Sequence, residues 1–300
     1  VAVNYKAETV FNTLPGAAGA RRFRLTGGGL RLGRSNIDSA EFRSDGQSNI
    51  PRLGSRSVSG SYTGELSVGT FDPLFEALLR GTWTSDVLIP GTTPIRRSFT
   101  FEENEQDLDQ SQVFTGCRVS SARVSCPPDA NATVDFGIVG ADMQLVSGAA
   151  APYFTTPTVT ATNALVATDA AITLDGVAIL ELTACDFSID IGAAGQPVIG
   201  SNVTPDIFER RMRISGSVSA VRKDAALQTK FLAETSAALS IKLTDPAAAI
   251  SMTFTLPKIL FTDYSGSLGS DGAYIGTIPF TAGYDTTVGG MIKLERDLVP

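Results

Sequence analysis

Histidine is absent from the 300 residues. That removes the commonest general base and the commonest neutral metal ligand, and with them Ser-His-Asp and Cys-His chemistry. Cysteine is scarce: Cys117, Cys126 and Cys185 are the only three, an odd number in a long chain. A disulfide framework is not expected, and assembly in a reducing cytoplasm is the default. The three read as small buried hydrophobes, with a Cys117–Cys126 bridge across a hairpin as the less favoured alternative. No apolar run reaches the length of a membrane span, and Val1-Ala-Val-Asn-Tyr-Lys6 is not a signal peptide. Its lack of Met fits removal of an initiator before a small residue, and the Asn131 and Asn202 sequons carry no meaning in a cytoplasmic protein.

Charge is sparse and unbalanced. Charged residues make up 18% of the chain, net charge is −7, and the isoelectric point is near 4.8. No basic run exceeds the pairs Arg21-Arg22, Arg96-Arg97 and Arg210-Arg211, so a phosphate-gripping surface is not expected. Passage of nucleic acid without adhesion remains open. The low charge fits either a β-rich chain or a surface largely covered by other subunits, because charged residues are depleted in interface cores. Hydrophobic content of 43% supports real cores, and the abundance of Thr, Ser, Ala, Gly and Val suits strands and turns.

What the sequence does carry is an internal repeat. Ser57-Val58-Ser59-Gly60-Ser61 recurs as Arg213-Ile214-Ser215-Gly216-Ser217, and Gly60–Gly216, Phe75–Phe231 and Ala77–Ala233 share a spacing of 156 residues. Upstream, Phe23–Leu32 resembles Ile172–Leu182, setting Gly28 against Gly176, and Gly46-Gln47 recurs as Gly195-Gln196. Downstream, Ser98-Phe-Thr-Phe101 matches Ser240-Ile-Lys-Leu243, and Val134–Ile138 matches Ile278–Ala282. The spacing drifts where loops would sit, and loops tolerate insertion. Residues 1–150 and 151–300 are therefore expected as two tandem domains, joined at Gly148-Ala-Ala-Ala-Pro152.

Each half is expected to hold a hairpin, a further strand, a Gly-Gln loop, a strand, one short helix and closing β segments. The hairpins are Arg22–Arg31, turning at Gly27-Gly28-Gly29, and Ala171–Thr183, turning at Asp175-Gly176. The further strands lie near Asp38–Arg43 and Asp186–Ile191. Asp72-Pro73 announces the first helix, with Asp72 as cap, Leu74, Phe75, Leu78 and Leu79 as apolar stripe and Gly81 as stop. The second starts near Asp224 with Leu227, Phe231 and Leu232 inward. Strands near Ser98–Glu102 and Ser240–Thr244 follow, then Gly116–Ser125 with Thr133–Ile138, and Ser251–Phe261 with Tyr274–Phe280. The fold class is mainly β with one short helix per domain: two tandem β-sandwich or half-barrel units.

Ser39-Ala-Glu-Phe-Arg-Ser-Asp-Gly-Gln47, then Ser57 through Phe71-Asp72-Pro73 to Trp83, and the opening Tyr5–Pro15, resemble the phage tail tube family. Gly46 departs from that pattern, where Arg is expected. The likeness is carried by residues 5–85; the second half enters through its length and the repeat. The resemblance implies a structural virion protein, assembled in the host cytoplasm. Its rings stack into a tube, inner strands close into one barrel, and genomic DNA passes through the lumen without specific binding. Implied partners are further copies of the chain, the tape measure protein, the tail terminator and distal tail or baseplate proteins; no cofactor is implied. A duplicated chain makes a trimeric ring with pseudo-sixfold symmetry, or a hexamer with one half outside as decoration.

Loops Ser44–Arg56 and Gly192–Pro205 are candidate contacts between subunits or rings, with Ser44, Asp45, Gly46, Gln47, Arg52, Gly195, Gln196 and Asn202 singled out. The acidic run with Glu102, Glu103, Glu105, Asp107 and Asp109 reads as lumen lining that repels phosphates, as a solvated loop, or as a reach to the next ring. It lacks the Gly and final Glu of an EF-hand. Rival readings are another tail part such as a baseplate hub or terminator, a secretion-system tube, a surface adhesin, and a hydrolase using carboxylates such as Asp186 and Asp190.

Overall fold

A computed structural model describes residues 1–179, 182–221, 226–267 and 274–298. In the first half the elements are β1 (Ala2–Ala7), β2 (Arg21–Arg22), β3 (Leu25–Ile37), β4 (Arg52–Glu65), helix α1 (Asp72–Leu79), β5 (Val87–Leu88), β6 (Phe99–Glu105), β7 (Gln110–Cys126), β8 (Thr133–Gly140) and β9 (Asp142–Ser147). The second half contains β10 (Ala170–Leu174), β11 (Val177–Ala178), β12 (Leu182–Asp190), β13 (Ala194–Gly195), β14 (Ile207–Phe208), β15 (Arg213–Val221), helix α2 (Ala226–Leu232), β16 (Ala237–Asp245), β17 (Ile250–Phe261), β18 (Ser265–Ser267), β19 (Ile275–Ala282) and β20 (Lys293–Asp297).

Alternation along the strands sets the layers. In β8, Val134, Phe136 and Ile138 are buried while Thr133, Asp135, Gly137 and Val139 are partly exposed, the period-two pattern of a sheet with one dry face. Met252-Thr-Phe-Thr-Leu256 in β17 alternates in the same way. The strands form one twisted system with two arms. One arm runs β2-β1-β6-β7-β9. β7 then bends at Gly116, whose φ of +63° suits glycine, and its outer portion enters the run β3-β4-β8-β7-β12-β15-β19-β17. The inner portion of β17 belongs to the run β10-β16-β17-β20.

The halves follow the same course. The order β3-β4-β8-β7 is matched by β12-β15-β19-β17, and β1-β6-β7-β9 by β10-β16-β17-β20. Pairing corrects two residue matches of the repeat. β3 pairs with β4 as β12 pairs with β15, so the counterpart of β3 is β12, and Gly28 does not correspond to Gly176. Gly60 faces Ile138 and Gly216 faces Phe280, so Ile138 corresponds to Phe280 and the downstream match shifts by two residues on the same face.

Several local expectations are also corrected. Gly27-Gly28-Gly29 makes no hairpin turn. It lies inside β3, at a register shift between Leu25 and Gly27. Gly28 has φ +101°, and a Cβ there would collide with the Ser61 carbonyl oxygen, so the glycines serve a bulge and a close approach. Residues 38–43 are not a strand but part of an exposed loop. By contrast, Asp175-Gly176 does turn β10 into β11, both residues having positive φ; Leu180 and Glu181 of the expected arm lie outside the described residues.

Helix α1 is capped by Phe71 with no side-chain cap bond. Asp72 instead pairs with Arg296 of β20, whose guanidinium also binds Asp86 at 2.8 Å and covers the Trp83 ring. The helix stops at Arg80, in the left-handed region, rather than at Gly81. Its stripe Leu74, Phe75, Leu78 and Leu79 is fully buried. Phe75 touches Phe136 of the first half and Phe254 of the second, with ring centroids 5.3 and 6.0 Å apart. One apolar cluster therefore runs through both halves. Helix α2 is peripheral: Leu227 and Phe231 pack on the core, but Leu232 is 80% exposed and not inward. Asp224 lies outside the described residues. Among the described residues no helix is long and apolar enough to cross a membrane.

Candidate functional site

The feature most open to chemistry between molecules is the eight-strand run and its two ends. At its middle the halves join through backbone pairing of β7 with β12, from Cys126 opposite Cys185 to Ser121 opposite Asp190. Among the described residues β3 has no strand partner other than β4, although the Leu30 N–H is taken by the Glu103 carboxylate. At the other end, among the described residues, β18 pairs only with β19, and Leu260 and Phe261 of β17 likewise pair with β19 alone. In the second half these segments hold the position that β7 holds in the first; among the described residues no strand fills beside β17 and β18 the place that β12 fills beside β7. Unpaired N–H and C=O groups at such edges are templates for another strand.

β3 and β4 continue past the body as an arm, exposed from Arg34 to Ile37, and carry the loop 38–51. Ser44, Asp45, Gly46 and Gln47 sit exposed in that loop, and Arg52 opens β4 opposite Ile37. Asp45 takes two hydrogen bonds from Arg43, at 2.8 and 3.0 Å, and one from the Gln47 N–H. Arg43 holds the Asp45 carboxyl below the usual carboxylate range. The tip is apolar at Phe42 and Ile50, both almost wholly exposed. In the second half the loop between β12 and β15 carries Gly195, Gln196 and Asn202. Gly195 lies in the β13–β14 pair against Thr204, Gln196 is exposed, and the Asn202 carbonyl accepts the Arg56 N–H at 2.7 Å. Ile199 is bare at this loop's tip. The structure thus lays the second loop beside the base of the first arm.

The acidic run divides. Glu102 is fully buried and accepts hydrogen bonds from Asn4, the Tyr153 N–H and the Phe154 N–H. It anchors the connection between halves. Glu103 accepts from the Leu30 N–H and the Tyr62 hydroxyl, both at 2.7 Å, and so ties the two arms of the fold together. Glu105, Asp107 and Asp109 lie at the β6–β7 turn, the last two exposed. That turn is remote in topology from the eight-strand run.

Sequence reasoning missed a charge cluster between the halves. Arg118 of β7, its side chain only 7% exposed, binds Asp206 at 2.7 Å, Glu209 at 3.5 Å and the Ile207 carbonyl. Arg96 also reaches Asp206, and Arg80 donates to the Arg210 carbonyl. Burial pushes the Glu209 carboxyl up, opposed by Arg118, Arg80 and Arg96. The available signal was a lone Arg inside the apolar stretch Val113–Val119. Asp186 and Asp190 form no acid–base pair: Asp186 is bound by Arg123 and Ser217, and Asp190 accepts the Gly192 N–H. Among the described residues no cluster of His, Cys, Asp or Glu could hold a metal.

Sheet edges without a strand partner and bare apolar loop tips are features of a building block. Residues 1–282 match the family model described as phage tail tube protein. The chain belongs to the phage tail tube protein family. No curated protein matches it at a significant level. Membership makes it a structural component of a phage tail, with a structural rather than catalytic role, and Tyr5–Trp83, which carries the resemblance, forms β1 to α1 and the long β3–β4 arm.

Proposed function

We infer that three copies of this chain close into a ring and that rings stack into the tail tube through which the genome is delivered. The observation that carries this is the internal β7–β12 junction. Each half supplies four strands to one run, and the same junction can be repeated between chains, β17 and β18 of one meeting β3 of the next. The two halves then act as the two domains of a duplicated chain. Three chains give about 24 strands; at about 4.8 Å spacing and a tilt near 45° the wall is roughly 160 Å around and about 50 Å across. That admits a duplex with its water and ions. A hexamer with one half of each chain as decoration would hold the same number of wall strands, so circumference does not separate the two; the pairing of β7 with β12, which puts both halves in one continuous run, favours the trimer.

The internal junction also supplies a register. Arg123 faces Ser188 within the chain. Arg123 faces Asp135 as Ser265 faces Thr277, and Phe187 faces Gly216 as Leu30 faces Gly60. Between chains, Ser265 should therefore face Arg31. Closure would also satisfy two backbone edges that otherwise invite uncontrolled pairing. The loops tipped by Phe42, Ile50 and Ile199 are the proposed contacts between rings, and Glu105, Asp107 and Asp109 remain a solvated turn or a reach to the next ring. The tape measure, terminator and distal tail or baseplate proteins are the expected partners inside the tube and at its ends, in a virion assembled in the host cytoplasm.

The test is a double variant, Arg31→Cys with Ser265→Cys, oxidised after polymerisation. Covalently closed trimers on a non-reducing gel are expected, and none from either single variant. Tubes that form normally yet yield no interchain disulfide would contradict the pairing.

A further inference from the structure

The eight-strand run has one face toward the apolar core and one toward solvent, and the solvent face is chemically unusual. One row across it passes through Thr63, Asp135, Arg123, Ser188, Ser215 and Thr281, each opposite the next. Neighbouring rows repeat the character, with Ser61, Gly137 and Ser121 on one side and Ser125, Ser217 and Thr262 on the other. Hydroxyls and glycines dominate. Protein interfaces are depleted in Ser and enriched in aromatics, Met and Arg, so this face does not resemble a tightly packed permanent interface.

Its charges are few and of both signs. Arg123 pairs with Asp186 at 3.1 Å, and Ser217 donates to the same carboxylate at 3.0 Å. Asp135 lies 3.4 and 3.3 Å from the Ser61 and Thr63 hydroxyls. Arg213 stands opposite Asp190 in the register, and the Asp190 carboxylate accepts the Gly192 N–H. With Arg31 and Glu65 at the margins, the two signs nearly balance, although the chain as a whole carries −7. The acid surplus therefore lies elsewhere, much of it buried in hydrogen bonds, as at Glu102, or on the β6–β7 turn.

Resting on the ring reading above, we propose that this face is the tube's inner wall and that it works as a near-neutral, hydroxyl-lined, low-adhesion surface for a hydrated duplex polyanion. Slip comes from a near balance of sparse charges, not from an acidic lining. A phosphate polymer is held in proportion to the cations that neutralise it and release its counterions. Arg123 is already paired with Asp186 and Arg213 stands beside Asp190, while serine and threonine hydroxyls keep a water layer bound at the wall.

Two measurements on polymerised tubes test this and separate it from the ring reading. In the first, Ser215→Cys is exposed to a small maleimide and to a maleimide on a bulky dextran. In tubes only the small reagent should react, and in unassembled protein both should. Reaction with the bulky reagent in tubes would overturn the ring reading itself. In the second, tubes are sedimented with a short labelled duplex at low salt. Natural tubes should retain almost none. Tubes of Ser215→Lys with Thr281→Lys should retain about tenfold more and release it as salt is raised, while Ser215→Asn tubes should behave as natural ones. Ser61→Lys, on the same face of the first half, repeats the test should the double variant not polymerise. Strong retention by natural tubes, or none by lysine tubes whose Ser215 position is shielded from the dextran, would overturn the wall proposal and leave the ring intact.

Discussion

Replacing Arg118 by Met removes one charge from the cluster between the halves while keeping an apolar stem beside Phe11, over whose ring the guanidinium lies at 5.2 Å. Asp206 is about one-third exposed and can be resolvated, but the Glu209 side chain is 4% exposed and loses its nearest cation. Stranding one member of a buried pair costs about 3–5 kcal/mol, a large share of the roughly 5–15 kcal/mol that holds a domain folded. Urea titration of unassembled protein should show the midpoint falling with the slope unchanged. The loss should depend on pH with a definite sign. Burial raises the Glu209 carboxyl in the folded chain, and removing Arg118 raises it further. A carboxyl whose folded pKa exceeds its unfolded value of about 4.3 is penalised as pH rises above that value, up to the folded pKa. Arg118→Met should therefore lose less at pH 5 than at pH 8. Adding Glu209→Gln should recover about 1–3 kcal/mol. A single variant within about 0.5 kcal/mol of the natural chain, or a double variant no better than the single, would refute the claim that this cluster binds the halves.

Glu102→Ala should destabilise by about 2–5 kcal/mol, because the buried Tyr153 and Phe154 N–H groups lose their acceptor, whereas Asp107→Ala, at an exposed turn, should stay within about 0.5 kcal/mol; equal effects in urea titration would count against the division of the acidic run. The thiols of Cys117, Cys126 and Cys185 are free and buried, and burial pushes Cys126 up to about 11. A thiol reagent at pH 8 should find none in folded protein and three after unfolding. Stability should decline above about pH 8.5 as the unfolded thiols ionise and the folded ones do not; a flat profile from pH 8 to 10 would contradict the burial. Gly28→Ala should cost at least about 2 kcal/mol through backbone strain and collision with Ser61, and it should impair polymerisation more than folding. Normal assembly by that variant would remove β3 from the proposed seam.

Where pattern alone decides, the sequence was legible. The strands expected over Ser251–Phe261 and Thr133–Ile138 are there, and the stripe of α1 was read residue by residue. Where a distant partner decides, it was not. A glycine with positive φ serves a turn or a bulge equally well, and only the pairing with β4 shows that Gly28 belongs to the second. Asp72 before Pro73 looks like a cap until Arg296, near the other end of the chain, takes its carboxylate. Glu102 and Glu105 are indistinguishable in a run of acids, yet one points at the Tyr153 and Phe154 amides and the other lies at the start of a turn. The β7–β12 junction, on which the assembly reading depends, joins segments about 60 residues apart and leaves no local periodicity to read. The solvent face escaped notice because its serines and threonines are scattered through strands of both halves and meet only in the folded sheet.

The most direct measurement is an image of the polymer at a resolution that separates strands, taken along and across the tube axis. The predicted result is a ring of three chains with about 24 inner strands, in which β18 of each chain runs antiparallel to β3 of the next with Ser265 opposite Arg31. A ring of six chains, or one whose lumen wall does not include the free face of β4, β8, β12 and β15, would contradict it.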